Sequence, residues 1–205
     1  MRVTGGLYRG RTILCPPGVI RPSMDRMRTS LFSILGNLEG ASFLDLFSGT
    51  GVIGIEAASR GAAPVLLVEK DARKKQTILK NIAFVESHID LVVAPVEKFL
   101  KTNLRSWDII FLDPPFDLEG KGAALDAACA TPHLAPGGLA IMHLHTAEKL
   151  PTDRPGLELA DRRTYGQSLL LFFRRAGNET PRRHACAVHC APSDKRLYLL
   201  SRSGT

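Results

Sequence analysis

Nowhere does the chain sustain the roughly 18 consecutive apolar residues that a membrane-spanning helix needs. The opening Met1-Arg2-Val3-Thr4-Gly5-Gly6 has no apolar signal-peptide core either, so a cytoplasmic protein with no membrane partner is expected. Cysteine is sparse: Cys15, Cys129, Cys186 and Cys190 are scattered without a Cys-x-x-Cys pair, which fits free thiols in a reducing compartment. A metal module is missing too. His143 and His145 share one face of an expected strand with no carboxylate or cysteine at ligand spacing, and read as packing or edge residues. His184, Cys186, His189 and Cys190 match no metal-binding spacing, so no metal is expected. No internal repeat or low-complexity tract is present.

What the chain does have is an ordinary globular composition, 44% apolar and 23% charged over 205 residues. That length suits one α/β domain burying about 70% of its unfolded surface. The net charge of +7 is unevenly spread. Residues 1–37 carry six Arg against one Asp, residues 174–205 seven basic against two acidic, and the middle 14 basic against 17 acidic. Basic ends around a mildly acidic middle suit a polyanion gripped at the ends, and nucleic acid is the partner class this indicates. The expected organisation is one domain over 1–177, with a basic hairpin and helix over 1–40 and a catalytic core over 41–177. Residues 178–205 then form a basic tail.

Along the chain, residues 3–14 read as a short hairpin carrying Arg9 and Arg11 around Gly10. Ser23 is a candidate N-cap for a helix with Met27, Leu31 and Leu38 at helical spacing. Arg21, Arg26 and Arg28 surround its first turns, where the helix dipole disfavours cations. They answer either to an outside phosphate or to a salt bridge with Asp25. Next come an apolar strand from Phe43 to Phe47, the turn Ser48-Gly49-Thr50-Gly51, and a helix closed by Gly61. Glycines 49, 51 and 54 satisfy G-x-G-x-x-G, a weak signal alone. It is strengthened by Glu69, which ends the next strand 18 residues after Gly51, where a carboxylate accepts both hydroxyls of a ribose. A helix is expected over 71–86 with Arg73, Lys74, Lys75 and Lys80 outward, then a third strand Leu91–Ala94 and a short helix from Glu97. A helix around 121–130 follows, and Pro136-Gly137-Gly138 turns into a strand Leu139–Leu144. The last two strands, Leu157–Thr164 and Ser168–Phe173, form an antiparallel hairpin. This alternation implies a doubly wound sheet.

The stretch Asp113-Pro114-Pro115-Phe116 follows the apolar run Trp107–Leu112 and so lies at a strand's carboxyl end, where open α/β sheets bind ligands. Two prolines end the strand, fix φ, and hold the Asp113 carboxylate and Pro114 carbonyl stiffly, with Phe116 as an aromatic plate beside them. Such acceptors suit the exocyclic amine of a nucleobase stacked on the ring. Orienting the N–H bonds turns the nitrogen lone pair toward an electrophile.

Taken together, Gly5-Gly6, Arg9-Gly10-Arg11, Arg21-Pro22, Asp25-Arg26, Arg28, Leu31-Phe32, the Leu44–Gly51 loop, Glu69 and Asp113–Phe116 resemble the RsmD family over about residues 2–175. Its members are S-adenosylmethionine-dependent methyltransferases acting on a guanine N2 of 16S ribosomal RNA. The resemblance implies a Rossmann-like class I fold, a seven-stranded, mostly parallel sheet with its last strand antiparallel, preceded by a β-hairpin extension. It implies that Asp45, Phe47, Ser48, Gly49 and Gly51 lie along the methionine end of S-adenosylmethionine. Glu69 and Lys70 would be at the ribose, Val96 with the turn after the third strand at the adenine, and Asp113 beside the cofactor. Asp113 and Pro114 would hold the guanine amine and Phe116 would stack on the base. Arg9, Arg11, Arg21, Arg26 and Arg28 become the RNA contacts. The implied partner is 16S rRNA or a small-subunit assembly intermediate, and the implied state a monomer. Thr29, Ala94-Pro95-Val96 and the chain beyond about 178 depart from the family pattern.

An adenine-N6 methyltransferase shares the core motifs and stays open as an alternative. A nicotinamide-dependent oxidoreductase explains the glycines and Glu69, though not Asp113–Phe116. A non-catalytic RNA-binding module is the remaining reading.

Overall fold

The computed structural model describes residues 1–15 and 22–176, with side chains from residue 25 onward in the first helix. In chain order the elements are α1 (Pro22–Leu35), β1 (Phe43–Leu46), α2 (Val52–Ser59), β2 (Val65–Glu69), α3 (Lys75–Ile82) and β3 (Ile89–Val93). Then come α4 (Val96–Thr102), β4 (Trp107–Leu112), α5 (Lys121–Cys129), β5 (Leu134–His145), β6 (Leu157–Tyr165) and β7 (Ser168–Arg175). The strands form one seven-stranded sheet in the order β3-β2-β1-β4-β5-β7-β6. The first five pair in parallel, while β7 runs antiparallel to both β5 and β6. This is the mostly parallel Rossmann-like sheet, antiparallel at its last strand, that the resemblance implied. No helix among the described residues is long and apolar enough to cross a membrane.

Period-two alternation decides which core each side chain joins. In β4, Ile109 and Phe111 enter one cluster with Phe43, Leu67 and residues of α1 and α2. Ile110 and Leu112 enter another on the opposite face with Leu44, Val68 and residues of α4 and α5. Both faces are covered, as a parallel sheet requires. The chain builds outward from β1 to β3 and then returns to lay β4 on the other side of β1, so the order reverses between β1 and β4. Leu46 pairs with Leu112 there, and Asp113 N donates to Leu46 O at 3.3 Å. The loops after β1 and β4 therefore leave the sheet side by side at the switch point, where α/β sheets bind ligands.

Several boundaries differ from expectation. The helix expected over 71–86 begins as a tighter 3-10 turn, Ala72–Lys74, and ends at Ile82. The third strand occupies Ile89–Val93. Pro136-Gly137-Gly138 lies inside β5, where the register against β4 shifts between Trp107 and Ile109. A side chain at Gly138 would sit 2.8 Å from Ala135 O and 3.1 Å from Asp108 O, so only glycine fits the bulge. Ser23, expected as an N-cap, is within α1. The amino-terminal hairpin is reduced to one antiparallel bridge, Arg2 with Thr12.

Longer pairing is lost there because the turn docks on the end of α2. Leu7 N donates to Ser59 O (2.7 Å), Tyr8 N to Ser59 Oγ (2.9 Å), and Thr4 N to Glu56 Oε1 (2.7 Å). Gly6, at φ +76°, lies so close that a Cβ would be 1.8 Å from Ser59 O. Val3, Tyr8 and Ile13 are buried against Ile55, so one face of the segment packs on the core while Leu7 on the other stays exposed.

Candidate functional site

After β1 the backbone turns sharply: Phe47 (φ 64°), Gly49 (φ 60°) and Gly51 (φ 78°) all take left-handed conformations. Phe47 is the unusual one, since a residue with a Cβ is strained there. Ser48 holds the turn in place. Its amide donates to Val68 O (3.0 Å), its hydroxyl donates to Asp45 O (2.6 Å), and it accepts from Val68 N (2.9 Å). The glycines meet different needs. A Cβ on Gly54 would be 2.2 Å from Leu67 Cδ2, so its absence lets α2 pack directly on β2. Above Gly49 the nearest atom to such a Cβ is Phe47 O at 4.0 Å, leaving the backbone open for a ligand to approach.

Acidic side chains converge on this turn. Asp45 is buried, with Oδ2 accepting from Gly54 N at 3.1 Å and Oδ1 lacking any hydrogen-bond partner. Burial pushes its carboxyl well above the ordinary carboxylate range. The Gly54 amide partly opposes this, and the nearby negative charges of Asp113 and Glu69 add to it. Glu69 accepts from Gly49 N (2.9 Å), Asp71 N (2.9 Å) and Lys74 Nζ (3.1 Å), so the end of β2 is tied to the glycine turn.

A cavity of about 220 Å³ opens over the turn. Asp45, Phe47, Ser48 and Gly49 line it from the β1 side, and Asp113 lines it from the end of β4. Asp113 thus faces the glycine turn across one sheet edge, whereas Glu69, Gly51 and Phe116, also expected at the site, are not among the residues lining this cavity. Beside it Phe116 is 46% exposed, its ring in edge contact with His145 at 5.7 Å between centroids. Lys121 Nζ donates to Phe116 O at 2.8 Å and pairs with Glu148, whose other oxygen accepts from His145 N. The aromatic plate is thus held from behind by α5 and the end of β5.

Other expected residues fall elsewhere. Arg28 was expected at RNA but is only 2% exposed. It donates to Glu56 Oε1 (3.0 Å) and Arg2 O (2.9 Å), pairs with Asp25 (3.0 Å), and lines the cavity. Glu56 is itself completely buried and needs that cation along with Arg60. Arg9, Arg11 and Arg26 are exposed, with the Arg11 guanidinium 5.6 Å from the Phe84 ring, and Arg21 lies outside the described residues. Lys70 is exposed and is not among the residues lining the cavity. Val96, the first residue of α4, buries its side chain in the sheet's second core because it is apolar and faces the strands. Lys74, expected to point outward, turns back to Glu69 and lines the cavity. His143, read as packing, places Nδ1 2.7 Å from Asp113 Oδ1. The signal for it was positional: β5 is the neighbour of β4, and Met142 pairs with Leu112, one residue before Asp113.

The residues present fit S-adenosylmethionine. The unpartnered Asp45 Oδ1 and the surrounding carboxylates favour a cation, and the open backbone at Gly49 admits close approach. The two cationic side chains on the wall, Arg28 and Lys74, are already paired with carboxylates. A pyrophosphate would meet Asp45 instead of a free cation, which disfavours the dinucleotide alternative.

Comparison with known proteins agrees with this geometry. A family model described as "Conserved hypothetical protein 95" matches residues 1–174. Ribosomal RNA small subunit methyltransferase D of Escherichia coli (strain K12) is 38% identical over 120 residues, 57% of this chain. That match spans 60% of the relative's length. Putative rRNA methyltransferase YlbH of Bacillus subtilis is 29% identical over 187 residues, covering 86% of this chain and all of that one. Among solved structures, putative methyltransferase yhhF from Escherichia coli superposes with a TM-score of 0.75 at 29% identity, covering 86% of this chain and 98% of that one. With the family model spanning nearly all of the described residues, and the glycine turn bonded to Glu69 and facing Asp113 across one sheet edge, the chain belongs to the RsmD family.

Proposed function

We propose that the protein transfers a methyl group from S-adenosylmethionine to the N2 amine of a guanine in 16S ribosomal RNA. The observation that carries this reading is the shared cavity: Asp113 faces the open Gly49 turn and the buried carboxylate of Asp45. The cofactor supplies an electrophilic methyl group on a sulfonium. Asp45, Ser48 and the backbone of Gly49 would hold its methionine end, and Glu69 would take the ribose hydroxyls. Asp113 accepts N–H hydrogens of the target amine, orienting the nitrogen, and then takes the proton that the methylated amine sheds.

The target base must leave its stack, which costs a few kcal/mol, and stacking on the exposed Phe116 returns about 1–3 kcal/mol. Exposed Arg9, Arg11 and Arg26 provide phosphate contacts that place the RNA without reading its sequence.

The test is incubation of the protein with methyl-labelled cofactor and with either naked 16S rRNA or small-subunit particles, followed by nucleoside analysis. N2-methylguanine is expected; N6-methyladenine would replace the guanine assignment, and no label in either substrate would overturn the reading. Asp113→Ala should abolish labelling while the cofactor still binds, and retained turnover would remove Asp113 from its role.

A further inference from the structure

We propose that His143 is a positioning residue that clamps Asp113 in one rotamer with one carboxylate oxygen toward the cavity, an inference that rests on the methyl-transfer reading above. His143 lies on β5, buried to 2% exposure, with Nδ1 2.7 Å from Asp113 Oδ1. Its other nitrogen, Nε2, is buried with no hydrogen-bond partner. Those surroundings select the tautomer. A proton on Nδ1 is donated to a carboxylate, whereas a proton on Nε2 would be buried without an acceptor. The Nδ1 hydrogen therefore occupies Oδ1 and leaves Oδ2 as the carboxylate oxygen available to the cavity. The ring is fixed in turn by its place in β5, paired with Leu170 of β7, and by the Phe116 ring packed edge-on at 6.3 Å.

This matters because Asp113 stands one residue past the end of β4, whereas Asp45, the other acidic residue lining the cavity, lies within β1. A carboxylate free to rotate about Cα–Cβ would present its oxygens to the base amine only part of the time. Held by His143, it meets the amine already oriented, the condition under which positioning lowers a barrier. The arrangement parallels a His–carboxylate pair in which one partner fixes the orientation of the other, with the roles exchanged: here the imidazole is the support and the carboxylate faces the substrate.

Two variants separate positioning from packing. Leucine at 143 fills the space without a donor, while asparagine carries an N–H at the position of Nδ1. His143→Leu should lower kcat for RNA methylation by about tenfold to a hundredfold, with cofactor Kd and Tm near wild type. His143→Asn should recover most of that loss. Full activity in His143→Leu, or equal damage in both variants, would overturn the proposal. Should the leucine variant not fold, the wild-type protein still decides: histidine ring 15N correlation spectra should report the proton of His143 on Nδ1, and a proton on Nε2 overturns the clamp. An inactive wild type would bear on the methyltransferase reading itself, and normal activity in His143→Leu only on the clamp.

Discussion

The amide of Gly49 donates to Glu69 Oε2 across 2.9 Å, so the last residue of β2 closes the turn that follows β1. Glu69 braces the turn, and under the proposed function it also takes the ribose hydroxyls. Charge-assisted hydrogen bonds of this kind contribute roughly 1.5–3 kcal/mol each. Glu69→Gln keeps an acceptor but loses the charge and the pairing with Lys74. Its affinity for S-adenosylmethionine should fall about tenfold to a hundredfold. Titration calorimetry measures it, and unchanged affinity would take Glu69 out of the cofactor site.

Phe116 stands almost half exposed, so its removal leaves little of the core disturbed. Phe116→Ala should change Tm by no more than an ordinary surface substitution does. If the ring stacks on the target base, kcat/KM for RNA should drop by roughly fivefold to a hundredfold, the equivalent of about 1–3 kcal/mol. Steady-state methylation assays decide it, and an unimpaired variant means the base is held by something else.

Asp45 makes the protein's stability depend on pH in a defined direction. Its ordinary value is 3.8 and its folded value is raised, so between the two the folded chain holds a proton that the unfolded chain has lost. Stability attached to this group is thus present at low pH and declines as pH rises from 3.8 through the folded value. Asp45→Asn removes the decline. The variant should melt a few degrees above wild type at neutral pH, with the gap shrinking as the pH approaches 3.8. Its affinity for the cationic cofactor should fall at the same time. Thermal melts at about pH 4 and about pH 7 test the sign, and a gap that widens in acid contradicts it.

Gly6 offers a check on the docked amino terminus. Its φ of +76° disfavours any side chain, and a methyl group would collide with Ser59 O. Gly6→Ala should destabilise the protein by about 2–4 kcal/mol, read as a lower urea midpoint. Because Met1 and Cys15 line the cavity from this segment, cofactor affinity should weaken as well.

Much of the architecture was legible along the chain. Apolar runs ending in Glu69 and in Asp113, and a glycine turn after the first strand, are local signals. Each specifies its own backbone through strand propensity, proline geometry or freedom at positive φ. Alternating strands and helices then leave few topologies, and the one observed puts those strand ends together. Side-chain partnerships were a different matter. Arg28 carried the same charge as Arg26 in the same first turns of α1, yet it lies about 200° further round the helix, sealed against Glu56, 28 residues away, while Arg26 stays exposed. His143 looked like strand filling until β5 was laid beside β4, bringing it to a carboxylate 30 residues distant. Periodicity and spacing therefore determined the elements, the sheet edge and the strand ends that carry Glu69 and Asp113, while Asp45 came from the family resemblance. Which cations are buried and which ring holds Asp113 was decided only by the packed structure, because a hydrogen bond depends on angstrom-scale distances between strands that a linear pattern does not encode.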